Sequence, residues 1–238
     1  MSGAETAGAR RHEDAAGADG APGKPRRSAS LTDRAYADIE ELIVTLVLAP
    51  GSAISEPELT ARLGIGRTPI REALQRLARE KLVRVLPRRG ILVSAIDVAA
   101  QLRLLDVRRE LERLIAKSAA RRATDDERAL FRGLAAAFEQ AAKANDDTTF
   151  LRIDRDFNQL CSLASHNEFA AGAMSLMHSL SRRFWYLHYK QAADMPRTAK
   201  LHADIARAIA AGNEEGAAKA SDKLLDVIAK FTRNTVSP

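Results

Sequence analysis

The feature that most constrains this chain is a change of periodicity near Asp97. Beyond it strand signals vanish, and long Ala/Leu/Arg/Glu-rich segments space their apolar residues at three and four, the repeat of a helix with one buried face. Breakers at Thr124, Asn145-Asp146, His166-Asn167, Pro196 and Gly212-Asn213 divide this half into helices at about 97–122, 125–144, 147–165, 168–191, 196–211 and 214–233. Their motifs share no fixed period, which argues against a repeat array. Residues 97–235 therefore read as one all-α domain.

The segment before Asp97 has a different grammar. Residues 1–30, rich in Ala, Gly, Ser, Pro and mixed charge, have nothing periodic to bury and read as a disordered tail, with Lys24, Arg26 and Arg27 as a basic cluster. Order is expected from Leu31, with Thr32 capping a helix whose stripe is Tyr36, Ile39, Leu42, Ile43 and Leu46, ending at Ala49-Pro50-Gly51. Ser55 with Glu58 three residues on forms a capping box for a short helix burying Leu59 and Leu63. After Gly64-Ile65-Gly66, a third helix puts Ile70, Leu74 and Leu77 inward. Two short helices across a tight Gly turn make a helix-turn-helix. The β-rich runs Leu82–Leu86 and Ile91–Val93, joined by Pro87-Arg88-Arg89-Gly90, add a hairpin. Residues 31–96 thus read as a winged helix-turn-helix of three helices and a β-hairpin wing, and the whole chain as mainly α.

Positive charge is concentrated in that wing and third helix. Between Gly66 and Gly90 there are eight Arg or Lys residues against two acidic ones, within a net charge of +6. Double-stranded DNA is the polyanion such a surface suits. Arg67, Thr68, Pro69 and Arg71 stand where a recognition helix meets base edges and phosphates, and a guanidinium pairs bidentately with guanine. Arg88 and Arg89 at the wing tip suit the backbone or minor groove.

From about Leu31 to Thr235 the sequence resembles GntR-type regulators of the branch that carries an FCD domain. The resemblance is carried by LAPGSAISE (48–56), LGIGRTPIREAL (63–74), EKLV (80–83) and Arg89-Gly90. It implies DNA contacts at Arg67, Thr68, Pro69, Arg71 and Gly90, a homodimer, a near-palindromic operator and, most commonly, repression. Two departures remove phosphate contacts usual in relatives: Pro57 stands where an Arg is frequent, and Gly66 where Ser or Thr is usual.

The resemblance further implies that the second half is an antiparallel helical bundle around a small-molecule cavity, often with a divalent metal held by an Asp, a His four residues later and two further His. The matching stretch is DRDFN (154–158), so the first His is replaced by Asn158; His202 matches the next, and the last falls on Leu224. One imidazole, one carboxylate and one amide fall short of what zinc favours. The reading is therefore a cavity in which Asp154, Asn158 and His202 bind the effector directly, with a metal at this degenerate site as one alternative and a plain Asp154–His202 pair as another. No other cofactor is implied. Arg108, in VRRELE (107–112), matches an Arg that faces the cavity in relatives and would pair with a carboxylate. In the aromatic run SRRFWYLHY (181–189), Arg183 is assigned to the cavity, with Arg182 and with His178 or His188 left unseparated. The expected effector is a small anionic metabolite: a hydroxy, keto, sugar or aromatic acid.

Composition sets the outer limits. No apolar run approaches the roughly 18 residues of a membrane span, and the N-terminus lacks a secretory core, so a cytoplasmic location without membrane contact is expected. The single Cys161 allows no internal disulfide or paired-thiolate metal site and reads as a small core residue. Two other functions fit the sequence less well. A helical metal-dependent enzyme built on Asp154, Asn158, His178 and His202 leaves the winged helix unexplained and lacks an HExxH pair or nucleophile elbow. An architectural DNA-binding protein leaves the long helical half without a purpose.

Overall fold

The computed structural model describes residues 30–86, 90–192 and 194–235. Residues 1–29, read as a tail, and the wing-tip residues Arg88 and Arg89 lie outside that set. The described chain runs α1 (Leu31–Val44), β1 (Ala53–Ile54), α2 (Glu56–Leu63), α3 (Arg67–Arg79), β2 (Val83–Leu86) and β3 (Gly90–Val93). It continues as α4 (Val98–Arg122), α5 (Asp125–Ala144), α6 (Asp147–Ala164), α7 (Glu168–Ala192), α8 (Met195–Ala210) and α9 (Glu214–Asn234).

Two separate cores organise these elements. Ile39, Ile43, Leu59, Ile70, Leu74, Leu77 and Val93 meet in the first, while Phe131, Phe138, Phe150, Phe157, Met174 and Leu225 anchor the second. In the first unit α1 lies on α3, and Ser55 and Glu58 form the expected capping box of α2, which ends at Gly64 in the left-handed region with φ 64°. Three expectations need correction. Ser30, not Thr32, caps α1, because its hydroxyl reaches the Asp33 amide, while the Thr32 hydroxyl donates to Glu72. The same helix stops at Val44 rather than Ala49, since Leu46 turns to positive φ (62°) and breaks the hydrogen-bond ladder. Finally, Tyr36 is not simply apolar filling: its hydroxyl donates to the buried Glu80 (2.6 Å) and Arg76 stacks 3.7 Å above its ring.

The wing is a three-stranded antiparallel sheet of order β1-β3-β2, with Ile54 opposite Ile91 and Val83 opposite Val93. The two-residue strand β1 carries too short a pattern to be legible in sequence. Gly90 has φ +90°, a backbone conformation that residues with a side chain rarely adopt, so the start of β3 favours glycine.

In the second unit the six helices fall within one residue of their expected bounds. Closest packing is α5 on α8 and α4 on α9. The α4–α9 pair is antiparallel and held by Arg109–Asp226 (2.7 Å), Arg113–Asp222 (2.8 Å) and Lys117–Glu215 (2.6 Å). Arg128 donates to the carbonyls of Ala120, Ala123 and Ile209, satisfying the frayed ends of α4 and α8 at once. No described helix is long and apolar enough to cross a membrane.

Candidate functional site

One cavity, enclosing about 100 Å³, opens inside the second unit between α4, α6, α7, α8 and α9. Its polar floor is built at helical spacing. Asp154 and Asn158 are one turn apart on α6, Arg108 and Glu112 one turn apart on α4, and His178, Arg182 and Trp185 follow one face of α7. His202 reaches in from α8, stacked 5.0 Å from Phe138 and edge-on to Phe150 and Phe157.

The hydrogen bonds of this floor are specific. His202 Nδ1 lies 2.8 Å from the Thr198 carbonyl and Nε2 lies 3.0 Å from Asp154 Oδ1, so both ring nitrogens face oxygen acceptors. Burial would raise the Asp154 pKa, but the His202 hydrogen bond and the neighbouring His178 and Arg108 hold the carboxyl below its ordinary value. His178 moves the other way: burial, then Arg108, push it down to about 4, so it enters the cavity as a neutral imidazole near pH 7. Arg108 is held by Glu112, four residues on, at 2.5 Å. The Asn158 amide donates to the Asp154 main-chain carbonyl at 2.8 Å.

That inventory tests the metal alternative. Asp154 and His202 supply two donors side by side, but the Asn158 amide nitrogen is turned to backbone, Leu224 offers no ligand atom, and no group of three His, Cys, Asp or Glu among the described residues is placed to hold an ion. The residues present do not fit a divalent metal. Cys161 is buried against the cavity, and burial first, then Glu112 and Asp154, raises its thiol well above its ordinary value.

Of the residues expected at the cavity, Arg108, Asp154, Asn158 and His202 line it and Arg183 does not. Arg183 is 3% exposed and donates to the carbonyls of Ser94 (2.9 Å) and Ala95 (3.1 Å), in the linker that leaves the wing. A step of 100° around α7 separates it from Arg182, and sequence alone did not say which faced inward. Arg182 does line the cavity, and its guanidinium pairs with Glu40 (3.4 Å) and Glu41 (3.1 Å) of α1. Ser179 donates to Glu40 at 2.5 Å, and Leu180 packs on the first core. One helix thus walls the cavity and grips the winged unit.

The winged unit also presents the start of α3. Arg67, Thr68 and Arg71 are exposed at its start, Pro69 is partly covered, and Gly66 gives the helix no side-chain cap. Arg71 is not free: Glu56 of α2 holds it through two contacts of 2.8 and 3.0 Å, which hydrogen bonding, ahead of charge, reflects in a lowered Glu56 pKa. The partnership of Glu56 with Arg71 was not visible in sequence, since 15 residues separate them. Gly90 stands at the base of the wing.

A helix-turn-helix with a β-wing, tied to a helical bundle with an internal cavity, is the architecture of a DNA-binding transcription regulator. The FCD domain model matches residues 103–227, and the model for bacterial regulatory proteins of the gntR family matches residues 31–93. The chain belongs to the gntR family, in the branch with an FCD domain. An uncharacterised HTH-type regulator from an unstable DNA locus of Streptomyces ambofaciens is 50% identical over 64 residues, 27% of each chain. The chain thus spans about a quarter of that relative. The Nta operon transcriptional regulator of Aminobacter aminovorans is 26% identical over 211 residues, covering 83% of this chain and 98% of that one. Among solved structures, Escherichia coli McbR/YncC superposes with a TM-score of 0.76 at 19% identity, over 88% of this chain and all of that one.

Proposed function

We propose that this regulator binds near-palindromic operator DNA as a homodimer in the cytoplasm and represses transcription until a small organic acid fills the cavity. Residues 31–96 are the DNA-reading unit and 97–235 the sensing and pairing unit. Arg67, Thr68, Pro69 and Arg71 read the major groove, while Gly90 and, on the sequence reading alone, Arg88 and Arg89 meet the backbone beside it. Arg108, Asp154, Asn158 and His202 hold the acid, joined by Arg182 in the place first given to Arg183.

The observation that carries this reading is the double engagement of α7. Arg182 lines the cavity while bonded to Glu40 and Glu41 of the DNA-reading unit. An anion at the cavity competes for that guanidinium, so ligand binding and the grip on α1 are coupled by a shared charge, as allostery requires. The test begins with selection of bound sequences from a random duplex pool by the full chain. Two half-sites about one helical turn, ~10 base pairs, apart are expected. Arg71→Ala retains duplex binding but loses roughly 1–3 kcal/mol of discrimination at one position per half-site. Recovery of no preferred sequence overturns the proposal.

A further inference from the structure

Glu56 grips Arg71 by one edge only. Arg71 Nε lies 3.0 Å from Glu56 Oε1 and Nη2 lies 2.8 Å from Oε2, so the side edge of the guanidinium sits in the carboxylate fork. A guanidinium carries five N–H groups and can bridge a pair of acceptors along more than one edge. Among the described residues nothing bonds Arg71 Nη1, so the Nη1–Nη2 edge stays available. A bidentate pair is the geometry in which an exposed ion pair holds its shape.

The carboxylate is anchored from below. Glu56 is the first residue of α2, directly after Ser55 of the capping box, and a negative charge is favoured at that helix end. Its side chain is 27% exposed against 61% for Arg71, so the carboxylate forms the base of the pair and the guanidinium its outer tip. Arg67 stands one turn before Arg71 on α3 and acts on the same group. The Arg71 hydrogen bond, opposed by burial and helped by the charges of Arg71 and Arg67, holds the Glu56 carboxyl below its ordinary pKa.

We propose that Glu56 is a specificity-determining positioning residue: it clamps the Nε edge of Arg71 and so presents the Nη1–Nη2 edge to N7 and O6 of one guanine in each half-site. The inference rests on the reading that Arg71 faces bases in the major groove, and adds the group that aims it. An unclamped arginine turns to the nearest phosphate, which every sequence supplies. Glu56 restrains that swing, and its own charge repels the backbone. It therefore weakens binding to arbitrary duplex and spares the site where a guanine accepts both donors.

The test uses the full-length protein and a duplex recovered by selection. Anisotropy titrations compare that duplex, versions carrying each other base pair at the position where Arg71→Ala loses preference, and a scrambled duplex. The wild type is expected to favour guanine there by about tenfold or more. Glu56→Gln is expected to cut that preference to roughly threefold or less while keeping the preferences at other positions. It should also bind the scrambled duplex tighter, with a log–log salt slope steeper by about 0.9 as Arg71 gains a phosphate. Added to Arg71→Ala, it should change the preference no further. An unchanged guanine preference in Glu56→Gln overturns the inference. So does an equal loss at every position without tighter binding to the scrambled duplex, which makes Glu56 a support of α2 alone. Both results leave the major-groove reading of Arg71 standing. If Arg71→Ala keeps every wild-type preference, that reading and the inference fall together.

Discussion

Arg183 offers the sharpest test of how the two units communicate. Its guanidinium is buried in α7 and donates to the Ser94 and Ala95 carbonyls, and burial pushes its pKa down to about 10. Hydrogen bonds from a charged donor contribute about 1.5–3 kcal/mol each, so the two together supply roughly 3–6 kcal/mol. Against this stands the burial penalty, which the pKa depression puts on the order of 3 kcal/mol. Arg183→Met keeps much of the volume, removes both contributions, and frees carbonyls of which Ala95 already lies at an exposed position where water can replace the donor. The expected net cost is up to about 3 kcal/mol, felt at the junction and not inside either core. Urea unfolding followed by Trp185 fluorescence and by far-ultraviolet circular dichroism is expected to give coincident transitions for the wild type. In the variant, the dichroism transition should begin earlier than the fluorescence one, because the winged unit is released first. Coincident and unshifted curves would refute the assignment of Arg183 as the interdomain tie.

Further expectations concern the cavity and the cores. His178 is held at about 4 in the folded protein against ~6.5 when unfolded, so the unfolded chain binds the extra proton between those values. Stability should therefore rise with pH through that window and level off above it, by up to roughly 3 kcal/mol; His178→Gln should flatten the rise, and an unchanged slope in the variant's denaturation series counts against it. Because Arg108 and Arg182 help keep His178 neutral, a bound carboxylate should offset them and draw a proton in, and calorimetric titration in buffers of different ionisation heat should register uptake below pH 6.5. Phe138 is fully buried against Phe150, Phe157 and His202, so Phe138→Ala should cost about 3–5 kcal/mol in thermal or chemical denaturation. Glu40→Gln combined with Glu41→Gln loosens the Arg182 grip and should move operator affinity in the same direction as the acid does; a double variant indistinguishable from wild type with and without ligand would deny that Arg182 transmits the signal.

Much of this architecture was legible because each helix carries its own period and stop. Asn145 and Gly212 end helices in the left-handed region and Thr124 with Glu127 begins one, all local signals. Legibility failed where local rules compete or partners are distant. Thr32 and Ser30 are both plausible caps, and only the chain's path toward Glu72 separates them. Strand β1 exists because β3 pairs with it, a relation that two residues cannot announce. At the cavity, Arg108, Asp154, Asn158 and His202 were found through their resemblance to a known pattern, whereas Glu112, which holds Arg108, matches none and is found only in the folded chain. The exchange of Arg182 for Arg183 has the same origin: neighbouring helix positions point about 100° apart, and only the packed bundle determines which is inside.

The most direct measurement of the central claim is the affinity of the full-length protein for a duplex recovered by selection, read by fluorescence anisotropy at fixed salt with and without a saturating cavity ligand. The account predicts weakening by about tenfold or more in the presence of the acid, with Arg182→Gln abolishing the response while retaining duplex binding. Identical affinity with and without an acid that demonstrably quenches Trp185 would contradict the claim that the cavity governs DNA binding.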